Sequence, residues 1–286
     1  MESSASGRIV LGLAPILALL LFGSPAAAQN PKNNTYLGNL ELCNGSHRAS
    51  LEHRINACTA LIGSGQLTTA SLAVAHNNRG NAYASKGDYD RAIPNFDEAI
   101  KLNPGDARPF NNRGAMYLKK GEYDLAIQSL DQAIKLNANY GRAFVNRAGI
   151  YLKKHEYDRA ARDYDEAVRL QPDLAAGWSG RCWTRAVLGP LETALADCNK
   201  ALQAGPNIAE TYDSRGLVHL KMGQLDAAIV DYDSALRTEP KLASALYGRG
   251  LAKLRKGDKA GSDGDISAAR TIQASIGDHF THYGVE

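Results

Sequence analysis

Ala107 to Tyr140, ARPFNNRGAMYLKKGEYDLAIQSLDQAIKLNANY, is 34 residues long and recurs along the chain. Moved back by one length it falls on Ala73–Asp106, with NNRGNAYASKGDYDRAI. Moved forward it falls on Gly141–Leu174, with VNRAGIYLKKHEYDRAA. Further copies cover Ala175–Ile208 and Ala209–Leu242, and a degraded sixth runs from Ala243 to Gln273. A sustained 34-residue period of this pattern predicts stacked helix–turn–helix units, each too small to bury its own apolar face alone.

The columns of the period say how the helices meet. The eighth column is Gly80, Gly114, Ala148, Cys182, Gly216 and Gly250. The twentieth, Ala92 to Ala228, and the twenty-seventh, Ala99 to Ala269, are alanine in every copy that keeps them. Small residues there let two helices approach closely. Bulky residues fill the gaps: Phe110, Phe144, Trp178 and Tyr212 in the fourth column, and Phe96, Leu130, Tyr164 and Tyr232 in the twenty-fourth. Pro104, Pro172, Pro206 and Pro240 stop the second helix of their repeats. On these residues the chain resembles the tetratricopeptide repeat (TPR) family. The resemblance implies an all-α fold, a right-handed superhelical solenoid of antiparallel helix pairs with capping helices at both ends. It also implies a non-catalytic protein–protein interaction module that binds a peptide or a partner helix in its concave groove.

The rest of the chain divides around the array at 73–273. Arg8, the apolar run Ile9–Phe22 and Pro25-Ala26-Ala27-Ala28 follow the order of a secretory signal, so residues 1–28 read as a signal peptide cut after Ala28. Residues 29–49 are rich in Asn, Gly and polar side chains and read as an irregular leader. Residues 50–72 read as a capping helix and its connection: Ser50 caps it, and Leu51, Ile55, Cys58 and Ile62 share one face. Residues 274–286 are a polar tail carrying Phe280 and Tyr283. The RINACTALI helix before the array and the chain's ending resemble small exported TPR proteins of alphaproteobacteria, which implies a periplasmic or secreted protein.

Charge and motifs narrow the function. The 33 basic and 30 acidic residues leave a net +3, too balanced for a nucleic-acid partner or an anionic membrane surface. No stable membrane insertion is expected once the signal is removed. No phosphate-binding loop, Gly-x-Ser-x-Gly or zinc-protease helix appears, so no catalytic residue, metal site or cofactor is expected and the chain does not read as an enzyme. The alternative is an enzyme or ligand-binding protein with an unrecognised site in the cap regions. Export makes disulfides durable. Cys182 and Cys198 occupy facing columns of one repeat, and Cys43 lies just before the helix that holds Cys58, so two bridges, Cys43–Cys58 and Cys182–Cys198, are expected.

The seventh column is arginine throughout: Arg79, Arg113, Arg147, Arg181, Arg215 and Arg249. Asp97, Asp131, Asp165 and Asp233 stand in the twenty-fifth column, on second helices that pack on the next first helix. This predicts a ladder in which each Arg pairs with the Asp of the preceding repeat; the alternative is a cationic line for an acidic partner.

The predicted groove carries Asn77, Asn81, Arg108, Asn111, Asn112 and Arg142 in its amide-rich, basic half. Its apolar half carries Trp183, Leu217, Leu220, Tyr247 and Leu251. The partner is expected to anchor near Trp183 and Tyr247, unless the tail fills that half through Phe280 and Tyr283. Some chaperone-binding relatives grip a carboxylate with Lys, Asn, Asn, Lys and Arg. Asn81, Asn112 and Arg142 match that set, but Asn77 and Asn146 replace two of its cations.

Overall fold

A computed structural model describes residues 31–45, 49–205 and 209–285. The segment read as an export signal lies outside the described residues. Among the described residues there are fifteen helices. Six antiparallel pairs form the array: α3 (Thr69–Ser85) with α4 (Tyr89–Leu102), α5 (Ala107–Lys120) with α6 (Tyr123–Leu136), and α7 (Gly141–Lys153) with α8 (Tyr157–Leu170). They continue with α9 (Ala175–Leu188) and α10 (Leu191–Ala204), α11 (Ala209–Lys221) and α12 (Leu225–Thr238), and α13 (Ala243–Arg255) and α14 (Lys259–Ile272). Each helix packs first on its pair mate and then on the next pair, so the core is a strip running the length of a solenoid.

The alanine columns are sealed: Ala92, Ala126, Ala160, Ala194 and Ala228 have no exposed surface. Between the two helices of a pair the chain turns through a left-handed residue. Gly87, Gly121, Gly223 and Gly257 supply it, and in the third repeat His155 takes the same conformation with φ 58°. A non-glycine residue is uncommon there. His155 gains a hydrogen bond to the Tyr157 hydroxyl at 2.9 Å.

The arginine ladder is present, with twice the rungs the sequence suggested. Asp97 meets Arg113 at 2.7 Å, Asp131 meets Arg147 at 2.6 Å, Asp165 meets Arg181 at 2.9 Å and Asp233 meets Arg249 at 2.6 Å. Each Arg also reaches sixteen residues forward into the second helix of its own repeat. Asp163, Asp197, Asp231 and Asp265 receive Arg147, Arg181, Arg215 and Arg249 at 2.6–2.7 Å. In the first two repeats Asn95 and Ser129 take that place. The forward carboxylates are buried and the backward ones are about half exposed, so the buried rung is the one whose loss would strand a charge.

The N-terminal end corrects one expectation. Pro31–Cys43, inside the stretch read as an irregular leader, is a helix, α1, and it pairs with α2 (Leu51–Gly63). Asn and Gly weaken its intrinsic preference, but Tyr36, Leu40 and Cys43 recur along one face. They pack on Ala57, Cys58 and Leu61 of α2. Tertiary burial outweighs propensity here. The sulfurs of Cys43 and Cys58 are at bonding distance with Cα atoms 4.8 Å apart, tying the two helices together. Cys182 and Cys198 likewise join α9 to α10, with Cα atoms 5.2 Å apart.

At the other end the tail is not loose. Ile276–His282 forms α15, which returns against α13 and α14.

Candidate functional site: the concave groove

The inner wall of the solenoid is built by the first helix of each pair, and its two halves differ. In the N-terminal half the floor is a chain of amides crossing three repeats. Asn112 donates to Asn77 Oδ1 and Asn81 Oδ1, both at 3.0 Å. Asn111 donates to Asn112 at 3.2 Å, and Asn146 donates to Asn111 at 2.9 Å. Asn77 and Asn111 are buried beneath this row, while Asn81, Asn112 and Asn146 keep partial exposure. The structure therefore brings together Asn77, Asn81, Asn111 and Asn112. Asn77 and Asn146, which break the carboxylate-clamp pattern, are amide partners in this row. Arg108 and Arg142 stand exposed above it. The Arg108 guanidinium is engaged by Asp106 at 2.7 Å, which raises its pKa and counters the burial of that carboxyl.

The C-terminal half is not open. Leu217, Leu220, Tyr247 and Leu251 are buried in one cluster with Ile276, Phe280 and Val285 of the chain's own last segment. The Phe280 ring lies 4.9 Å from that of Tyr247, and the Tyr283 ring lies edge-on to Trp183 at 5.4 Å. Lys221 Nζ donates at 2.7 Å to the Tyr283 carbonyl and at 2.7 Å to the Ala186 carbonyl of α9, locking the segment to the wall. Of the two expectations for this half, an open apolar strip or a tail seated through Phe280 and Tyr283, the arrangement is the second. The cause is legible after the fact: Ile276, Phe280 and Tyr283 recur at i, i+4 and i+7, so a segment that is polar on average has one apolar face. Trp183 stays half-buried, with the Tyr157 ring 6.0 Å away.

The last segment does not fill its half completely. A cavity of about 690 Å³ remains between it and α7, α9 and α11, bordered by Tyr157, Ser179, Trp183, Glu210, Asp213 and Tyr283. Asp213 faces this space and accepts a hydrogen bond from Ser244 Oγ at 2.7 Å. Burial pushes its carboxyl up to about 7, with Glu210 and Glu239 adding to the effect and the Ser244 bond opposing it. Asp213 itself is half-buried at the wall of this space. Among the described residues no group of three His, Cys, Asp or Glu side chains could hold a metal ion, and no helix is long and apolar enough to cross a membrane.

Stacked helix pairs, a continuous core strip and a concave wall of first helices define an α-solenoid scaffold of the kind that binds other proteins. The chain belongs to the tetratricopeptide repeat family: models of the tetratricopeptide repeat match residues 73–106, 107–140 and 141–174, and a TPR repeat model matches 218–257. Proteins of this family are in general interaction scaffolds rather than catalysts. Solved structures agree on the fold. A tetratricopeptide repeat protein from Parabacteroides merdae is 17% identical, covering 88% of this chain and 99% of its own, with a TM-score of 0.60. PilF of Pseudomonas aeruginosa is 15% identical over 74% of this chain and 98% of its own, with a TM-score of 0.63. YrrB, described as a TPR protein with an unusual peptide-binding site, is 22% identical over 65% and 97%, with a TM-score of 0.50. No curated protein matches by sequence.

Proposed function

We propose that this protein is a non-catalytic adaptor of the periplasm that holds a peptide segment of a partner protein in the amide-lined half of its concave groove. The observation that carries the reading is the asparagine row. An extended peptide presents alternating main-chain donors and acceptors, and each Asn side chain offers both. The lateral bonds hold the amides in place over the buried Asn77 and Asn111, and the half-buried Asn81 and Asn146 keep both donor and acceptor capacity for a ligand. Arg108 and Arg142 at the rim favour a partner with acidic or polar groups and would act on approach more than on final affinity. YrrB, on the same fold, has a described peptide-binding site, which is support by likeness only. Export is supported by the N-terminal pattern of Arg8, Ile9–Phe22 and Ala26–Ala28 and by two cysteine pairs at bonding distance. Capture from periplasmic extract, with the mature chain against Asn112→Ala/Arg142→Glu, tests the reading. A partner held by the former should be lost from the latter. Equal retention by both would place the binding face elsewhere.

A further inference from the structure

The last segment makes a helix-in-groove complex inside one chain. Its anchors Ile276, Phe280 and Tyr283 follow the i, i+4, i+7 spacing by which an amphipathic helix seats in an apolar groove. Ile276 and Phe280 are each 2% exposed, while Asp278 and Thr281 on the other side face solvent and His282 lies against the rings of His155 and Tyr157. The end of the segment is held through its main chain, since Lys221 takes the Tyr283 carbonyl. Every peptide has such a carbonyl, so this bond asks nothing of the occupant's sequence. Specificity comes from the ring contacts that Tyr247 makes with Phe280 and Trp183 with Tyr283. The segment does not fill the whole groove. A half-open hollow of about 690 Å³ continues beside it along Leu152, Tyr157, Ser179, Trp183 and Asp213. The wall therefore has room for a longer helix than the one now in it.

We propose that this half of the groove is an interaction surface for a short amphipathic partner helix, with an aliphatic residue followed by aromatic residues four and seven positions on. The chain's own Ile276–Val285 occupies the surface until such a helix displaces it. The inference rests on reading the concave face as the binding face, but it concerns the half that the asparagine row does not use. Only Gln273, Ala274 and Ser275 join α14 to α15. So short a tether gives the tail an effective concentration on the order of millimolar, and a competitor must overcome it.

The test uses the full chain and, as probe, a fluorescent synthetic peptide with the sequence of residues 274–286. Phe280→Asp/Tyr283→Asp in the protein should release the tail and open the seat. Anisotropy titration should show the probe binding this variant at least about ten-fold more tightly than the unaltered chain, the difference being the intramolecular competition. The probe carrying Phe280→Ala should lose about ten-fold or more, as expected for a buried aromatic anchor. No saturable binding to the variant, with circular dichroism showing its helices intact, overturns the proposal. So does equal binding to both proteins, and so does loss of the helical array in the variant, which would make the tail an integral part of the core. Light scattering adds a further check: a dimer of the unaltered chain that exchanges tails would overturn the intramolecular placement. Because the probe is the tail itself, these outcomes do not depend on whether the amide-lined half captures a partner.

Discussion

Asp213→Asn is expected to stabilise the protein above neutral pH and to change little in acid. The Asp213 carboxyl titrates near 3.8 when exposed and is pushed up to about 7 in the fold by burial. Below 3.8 both states carry the proton and the residue is neutral toward stability. As pH rises from there, the unfolded chain gives up its proton first and the native state is progressively disfavoured. Above about 7 both states are ionised and the loss is complete. A rise of about 3 pKa units at about 1.4 kcal/mol each sets a ceiling near 4 kcal/mol, and the partial exposure of Asp213 brings the expected value well below it. Asparagine keeps the shape and can still accept from Ser244 Oγ, but it does not titrate. Urea unfolding followed by circular dichroism should give overlapping midpoints for the two proteins near pH 4. The variant's midpoint should be clearly higher at about pH 8, by an amount of up to roughly 4 kcal/mol. Midpoints that move in parallel across that range, or a variant that is weaker at high pH, would refute the argument. Either would mean that the cavity solvates the charge as well as water does.

Two further outcomes follow from the array. Arg147→Ala removes the partner of the buried Asp163 and should cost about 3 kcal/mol in urea unfolding, whereas Arg147→Met combined with Asp163→Leu should recover most of that loss. Peptide mapping without reduction should recover Cys43 joined to Cys58 and Cys182 joined to Cys198. Replacing either pair by serine should lower stability by up to about 3 kcal/mol, because each closes a loop of 15 or 16 residues. Four free thiols in protein taken from an oxidising compartment would contradict the first expectation.

The repeat was legible because its determinants are local. The alanine columns, the turn glycines and the closing prolines lie within one 34-residue unit, and each constrains backbone or contact distance directly. The outer rungs of the ladder could also be read, since a constant sixteen-residue offset joins Asp97 to Arg113 and Asp131 to Arg147. The forward rung, Arg147 to Asp163, has the same offset but varies in chemistry, with Asn95 and Ser129 in the first repeats, so the column did not stand out.

What only the tertiary structure decided lies between units and at the ends. Tyr164 lies against Gly180 and Tyr232 against Gly248, each pair crossing from one repeat to the next, where a side chain on the glycine would collide with the ring. Neither residue of such a pair announces the other in sequence. Helix α1 was hidden because Asn and Gly argue against a helix when read alone, and it forms through burial of Tyr36, Leu40 and Cys43 against α2. Helix α15 was hidden for a related reason. Seven residues are too few to hold a helix in water, and α15 exists where the curved inner wall sets Tyr247, Trp183 and Lys221 within reach of one short apolar face. Period and spacing record which residues a repeat buries within itself. The occupant of the groove depends on how six repeats curve together, which is a sum of many small inter-repeat rotations that no single window of sequence contains.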